Sequence, residues 1–326
     1  MAKPRVFVAL RWPVEALARI DAECEMQRYE GPGGQAPKEA LIAALGDVEG
    51  LMGSAQLPVD AEVLAAAPRL RVVSNFGVGF DNIDVAAATD QGILVCNTPG
   101  VLTDAVADLT LGLVIDLARK VVEAERIVRE GNWAAGRGIM GNDLRGKTLG
   151  IVGFGRIGRA VAQRARAFGM QMRFHDVFDD PGADFADCAY RSLDDLLREA
   201  DFVTLHVNLT DETEKLIGAR ELALMKPAAY LINTARGPVV DQTALTEALR
   251  EGRIAGVALD VLEREPPADD DPILSLPNAV ILPHIGSATR ETRQAMLDLA
   301  IDNLLTALRG ETPKAVVNPE VLAARK

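Results

Sequence analysis

The sequence predicts an α/β protein built from two doubly wound parallel-sheet domains. Three observations carry that expectation. Short β-branched runs alternate with Ala- and Leu-rich helical stretches along most of the 326 residues. A protein of that length fills about two domains at roughly 150 residues each. A glycine-rich turn then opens a second, complete series of strands. Strands separated by helices give right-handed βαβ units and a parallel sheet.

In the first third, strands are expected over residues 5–10, 23–29, 48–52, 70–74 and 93–96, with helices over 38–44, 61–67 and 83–89. A long helical stretch follows from 103 to about 130. Asp104 and Asp108 lie in its first turns and basic residues begin only at Arg119, as the helix dipole prefers. Gly131-Asn132 ends it. The second series covers 148–152, 171–175, 202–207, 229–232, 256–260 and 280–282, the six strands of a dinucleotide-binding sheet. The last long helix, 291–308, has no strand left to serve in that set. It is expected to return to the first domain, which becomes discontinuous: 1–98 plus 288–326, with 99–287 inserted.

Charge and composition exclude several roles. With 35 basic and 47 acidic residues the net charge is −12, a poor match to nucleic acid or an anionic membrane surface. The 48% hydrophobic and 25% charged fractions are those of a soluble globular protein. No apolar run approaches the roughly 20 residues of a membrane span. The strand-like start ends in Arg11-Trp12-Pro13 where a signal peptide would have small residues. Cys24, Cys96 and Cys188 are far apart, with no CxxC spacing; buried thiols in a reducing cytoplasm fit better than disulfides, and no metal site is expected.

Residues 147–152 read as a buried strand. Gly153-Phe154-Gly155-Arg156-Ile157-Gly158 follows, and then a helix. In that context Gly153 permits the turn, Gly155 lets backbone approach a pyrophosphate, and Gly158 allows close helix–strand packing. The helix N-terminus offers free N–H groups to the anion. Asp176 ends the next strand, where a carboxylate can bind both ribose hydroxyls and repel a 2′-phosphate. Val177-Phe178-Asp179-Asp180 brings no basic residue, so NAD(H) is expected over NADP(H). These features specify a Rossmann domain.

There are three histidines to search for an acid–base group. His175 sits beside Asp176, at the adenosine end. His206 follows an apolar strand and has a structural or cofactor-lining role. His284 comes just after the last strand, where open α/β sheets place their ligand crevice. Arg236, in Asn233-Thr234-Ala235-Arg236-Gly237, and Glu265 follow strands at the same edge. A guanidinium, a carboxylate and an imidazole are what reduction of a 2-keto acid needs: a carboxylate anchor that polarises the ketone, a partner for the donor, and the donor itself.

Taken together, residues 75–84, 97–103, 153–158, 233–241, 259–266 and 283–287 resemble the D-isomer-specific 2-hydroxyacid dehydrogenase family over essentially the whole sequence, with glyoxylate/hydroxypyruvate reductases as the nearest kind. The resemblance implies a flavodoxin-like substrate domain around the Rossmann domain. It makes Arg236 the substrate anchor, His284 the proton donor and Glu265 its partner, and gives Val78 and Gly79 a backbone role in binding the substrate carboxylate. It places Arg156, Ile157, Asp176, Thr213, Thr234, Asp260 and Ser287 around the NAD, extending to His206, Ala235, Arg236 and His284. A homodimer through the helical region after Thr103 is implied. One departure is Asn208, where the family usually has proline. The uncharged Leu51-Met52-Gly53-Ser54 favours a small, unphosphorylated 2-keto acid. A dehydrogenase of D-lactate or of another, longer D-2-hydroxy acid is the alternative, and an NAD-sensing binding protein a more distant one.

Overall fold

The computed structural model describes residues 2–324. It consists of two compact units, one of residues 1–102 with 289–326 and the other of residues 103–288. The sequence places these divisions after residues 98 and 287.

The first unit holds five parallel strands: β1 (Arg5–Val8), β2 (Glu25–Arg28), β3 (Gly50–Ser54), β4 (Val72–Phe76) and β5 (Leu94–Cys96), in the order β2-β1-β3-β4-β5. This is the flavodoxin-like order. Helix Ala18–Glu23, which is not among the helices expected from the sequence, carries the crossover from β1 to β2. Asp60 and Asp84 cap the helices after them, accepting from Val63 and Ala87 N–H at 3.1 and 2.9 Å. Phe7, Leu51, Val73 and Val95 pack with Leu41, Leu45 and Leu64 in one apolar layer.

Helix Arg290–Leu308 belongs to this unit. Ser74 Oγ donates to Ala300 O at 2.7 Å, and the fully buried Asn303 donates to Asn97 O at 3.0 Å. The segment after it seals the β5 edge. Val317 N–H donates to Val95 O at 2.8 Å, while Asn318 accepts from Val95 N–H and donates to Ile93 O. An open strand edge is thereby removed.

The second unit starts with helix Thr103–Arg119, whose Ala107, Leu111, Val114 and Ala118 are buried. The expected single helix to about residue 130 is two helices. Lys120 adopts a left-handed conformation (φ 54°), and Val121–Arg129 restarts with its Val122 N–H bonded to Asp116 Oδ1 at 2.8 Å. Lysine is a good helix former, so composition gave no sign of the break.

This unit's sheet has seven parallel strands, one more than expected: β6 (Thr148–Val152), β7 (Gln171–His175), β8 (Cys188–Tyr190), β9 (Phe202–Leu205), β10 (Tyr230–Asn233), β11 (Gly256–Leu259) and β12 (Ala279–Ile281). Their order is β12-β11-β10-β9-β6-β7-β8. The unexpected strand, β8, is a three-residue edge strand with only Cys188 buried, too short to carry a pattern. Strand order reverses between β6 and β9, and ligand crevices form beyond the carboxyl ends at such a point. All three thiols are free and buried. Burial pushes Cys96 up to about 12, and Cys24 and Cys188 to about 11, so they are inert at neutral pH.

Candidate active site

Beyond the end of β6 the backbone turns at Gly153, with φ +91°. A Cβ there would lie 2.6 Å from the His206 carbonyl carbon, and one at Gly158 would lie 2.1 Å from Gly153 O. Both positions therefore require glycine for packing. Gly155 differs: a Cβ there would meet no atom within 4 Å. Open space stands over the N-terminus of helix Arg156–Ala167, where Arg156 is exposed and Ile157 half-buried. Unsatisfied helix N–H groups and the dipole favour an anion at such a place.

Asp176 is held by two backbone donors. Its Oδ2 accepts from Phe154 N–H at 2.6 Å and its Oδ1 from Val177 N–H at 2.7 Å. Each oxygen keeps a further acceptor position for a ribose hydroxyl. His206 follows β9 across the switch point. Both of its ring nitrogens are shielded from solvent, with no partner among the described residues. Burial pulls this imidazole down to about 3, so the ring is neutral. The open space at Gly155, the half-exposed Asp176 carboxylate and the unpartnered His206 nitrogens fit a dinucleotide. The Thr213 hydroxyl is committed locally, donating to Asn208 O at 2.6 Å, which ties down the loop where the family pattern has proline. His175 Nδ1 contacts Arg191 O at 3.0 Å, a structural role.

Three loops at the carboxyl ends of β10, β11 and β12 carry the remaining groups. After β10, the fully buried Asn233 shapes the turn: its Oδ1 accepts from Ala235 N–H at 3.0 Å and its Nδ2 donates to Arg236 O at 2.8 Å. Arg236 Nη1 donates to Ala235 O at 2.9 Å. Thr234 Oγ1 lies 3.0 Å from Thr110 Oγ1. Gly237 presses against the loop after β11, since a Cβ would sit 1.8 Å from Leu262 O. This contact links the loop of Arg236 to that of Glu265.

Glu265 accepts from Leu262 N–H through Oε1 at 3.1 Å, and its Oε2 lies 2.7 Å from His284 Nδ1. With Nδ1 bound to the carboxylate, Nε2 is the atom that can exchange a proton. His284 has a positive φ of 56°, unusual for a non-glycine residue. Asp260 holds it there. The Asp260 carbonyl accepts from His284 N–H at 2.9 Å, and its carboxylate accepts from Ile285 and Gly286 N–H, both at 2.7 Å. Burial pushes the Asp260 carboxyl up, and those two bonds act in the opposite direction. Ser287, half-buried, follows directly. Arg236, Glu265 and His284 thus stand on adjoining loops of one sheet edge. The sequence assigns Asn233 and Gly237 no role of their own; an asparagine closing the apolar run 229–232 is the signal it offers.

In the first unit, Val78 and Gly79 follow β4. Asn97 Nδ2 donates to Val78 O and Asn75 Nδ2 to Gly79 O, both at 2.7 Å. Neither the Val78 nor the Gly79 N–H finds an acceptor among the described residues. Among the described residues no cluster of metal-ligating side chains occurs, and no helix is long and apolar enough to cross a membrane.

Residues 111–286 match the profile of the D-isomer specific 2-hydroxyacid dehydrogenase, NAD binding domain. The protein belongs to the D-isomer specific 2-hydroxyacid dehydrogenase family and is an oxidoreductase with an NAD-binding Rossmann domain. Among its relatives, the glyoxylate reductase of Korarchaeum cryptofilum is 47% identical over 99% of this sequence and 98% of its own. That of Thermococcus kodakarensis is 46% identical over 99% of both sequences. A crystal structure from Thermus thermophilus superposes with a TM-score of 0.88 at 44% identity, covering 96% of this protein and 99% of that one. An NADPH-dependent glyoxylate/hydroxypyruvate reductase from Sinorhizobium meliloti, in complex with NADP and malonate, gives 0.87 at 36% identity over 97% of both.

Proposed function

We propose that this protein reduces glyoxylate or hydroxypyruvate to the D-2-hydroxy acid with NADH. The observation that carries the reading is the 2.7 Å Glu265–His284 pair on the loop edge shared with Arg236. The residues matching the dinucleotide pattern, Gly153 to Gly158 with Asp176, belong to the same unit.

When bound, the reduced nicotinamide supplies the hydride that C2 of the keto acid receives. The protein's own residues do the rest. Arg236 binds the substrate carboxylate and draws charge toward the keto oxygen. Glu265 fixes the ring through Nδ1, which leaves Nε2 to face the substrate. His284 Nε2 passes its proton to the oxygen as the C–H bond forms, leaving a neutral hydroxyl. Val78 and Gly79 are assigned to the substrate carboxylate as backbone donors. Residues 103–288 are assigned to the dinucleotide, and residues 1–102 with 289–326 to the substrate. Asp176 favours NADH over NADPH, unlike the NADPH-dependent relative.

A homodimer and a cytoplasmic location belong to the same proposal. Helix Val121–Arg129 has no buried residue, and Val121, Val122, Trp133 and Met140 are more than half exposed, apolar side chains that a second copy would cover. Light scattering that gives a monomer mass at micromolar concentration would remove the dimer. The three buried thiols suit a reducing compartment.

Following NADH and NADPH oxidation with glyoxylate, hydroxypyruvate, pyruvate and phenylpyruvate tests the reaction. The expected order places glyoxylate or hydroxypyruvate first in kcat/KM, with NADH preferred. Preference for pyruvate or phenylpyruvate moves the assignment to a dehydrogenase of longer 2-hydroxy acids. Silence across the panel, with NADH still bound, makes the protein a dinucleotide-binding module.

A further inference from the structure

Asp176 is the group on which dinucleotide choice turns, and the segment that follows it is held by its own side chains only through short-range bonds: Asp176 Oδ1 accepts from Val177 N–H and Asp180 Oδ1 from Gly182 N–H, at 2.7 and 2.8 Å. Val177 is fully exposed, and Phe178, Asp179 and Asp180 lie at the surface. One side chain reaches this segment from the neighbouring helix. Arg159 Nε donates to Phe154 O at 3.0 Å, and its Nη1 donates to the carbonyl of Pro181. Its guanidinium carbon lies 5.0 Å from the ring centre of Phe154, 5.4 Å from that of Phe185 and 5.7 Å from that of Phe178. Phe154 is wholly buried and stacks on Phe174 at 4.4 Å, so the base of this arrangement is rigid.

Phe154 is therefore held through both of its flanking peptide groups. Its carbonyl takes the Arg159 bond, while its N–H donates to Asp176 Oδ2. Pro181 lies five residues beyond Asp176, so Arg159, Phe154, Asp176 and Pro181 close a ring that contains the carboxylate. The same contacts occupy the cation: two carbonyls and three aromatic faces take up its planar fork.

We propose that Arg159 is a positioning residue for dinucleotide choice. It braces the 176–182 segment so that Asp176 meets the ribose 2′-hydroxyl in one orientation, and it is itself held where its charge does not serve a 2′-phosphate. This inference rests on the reading of Asp176 as the ribose-binding carboxylate. A loosened brace lets the carboxylate turn aside, which weakens NADH and leaves NADPH nearly as it was.

Isothermal titration of the purified full-length protein with NADH and with NADPH tests this without reference to turnover. Arg159→Met, which keeps the apolar stem, is expected to weaken NADH about tenfold and NADPH no more than about twofold. Arg159→Lys keeps the charge without the two-armed fork and should lose most of the same NADH affinity; it also carries the test if the Met variant fails to fold. In an Asp176→Ala background, Arg159→Met should change NADH affinity less than about twofold, because the group it acts through is gone. Equal weakening of both dinucleotides, full recovery with lysine, or an undiminished effect in the Asp176→Ala background would each overturn the proposal. An Asp176→Ala variant with an unchanged NADH-to-NADPH ratio would instead overturn the reading of Asp176 beneath it.

Discussion

The glycine turn after β6 and the three loops after β10, β11 and β12 occupy the same sheet edge but are constructed differently. The turn is local. Gly153, Gly155 and Gly158 lie within six residues; Gly158 is fixed by the Gly153 carbonyl inside the turn, and only Gly153 meets backbone from elsewhere, at His206. The loops are assembled from distant segments: Arg236, Glu265 and His284 span 49 positions and are brought together by Gly237, Asn233 and Asp260. A local device can be weakened at the ligand without touching the fold. An assembled one couples its chemistry to its packing.

That contrast is best sharpened at its chemical extreme. Replacing His284 by alanine is expected to lower kcat by about 10²–10⁴, the usual worth of a positioned acid, with NADH binding retained. Steady-state kinetics beside a fluorescence titration of NADH check this, and near-normal turnover would remove His284 from the reaction. Next in size is Gly237→Ala. Its Cβ would meet Leu262 O at 1.8 Å, so the two loops must part, at a cost of about 1–3 kcal/mol in stability and with loss of kcat together. Denaturant midpoints and kcat should fall in step; a loss in only one of them breaks the idea of coupled loops.

Gly155→Ala is the converse experiment. No atom of the described residues lies within 4 Å of that methyl group. Stability should stay within about 0.5 kcal/mol while the NADH dissociation constant rises about tenfold. A stability loss matching that of Gly237→Ala would erase the distinction between the two regions.

The smallest effect concerns pH. His206, pulled down to about 3, stays neutral in the folded protein where an unfolded imidazole titrates near 6.5. Its contribution to stability is fully present above about pH 6.5 and declines as the pH falls toward 3. At pH 6, wild type should have lost on the order of 1 kcal/mol more than His206→Gln, relative to pH 7.5. Urea unfolding of both proteins at the two pH values measures that difference.

The same contrast decides what the sequence made legible. The glycine turn and Asp176 are readable because a backbone requirement fixes residue type at close spacing. The long periodic segments are readable too, as helix Lys38–Ala44 and strand Thr148–Val152 fall where expected. Strand β8 is hidden by its length and edge position, and the break at Lys120 by a residue that favours helix. The loops were nameable by residue type, but their bracing was not. Only packing shows that Gly237 is pressed on Leu262, or that the Asp260 carboxylate is directed at the peptides following His284.

The sealing of β5 by residues 315–318 has a consequence for biosynthesis. Translation delivers the whole of the inserted Rossmann unit before the host sheet receives either helix Arg290–Leu308 or the segment that closes its edge. The inserted unit can therefore mature first on the ribosome. The strands of the first unit wait with an open flank until residues 317 and 318 emerge.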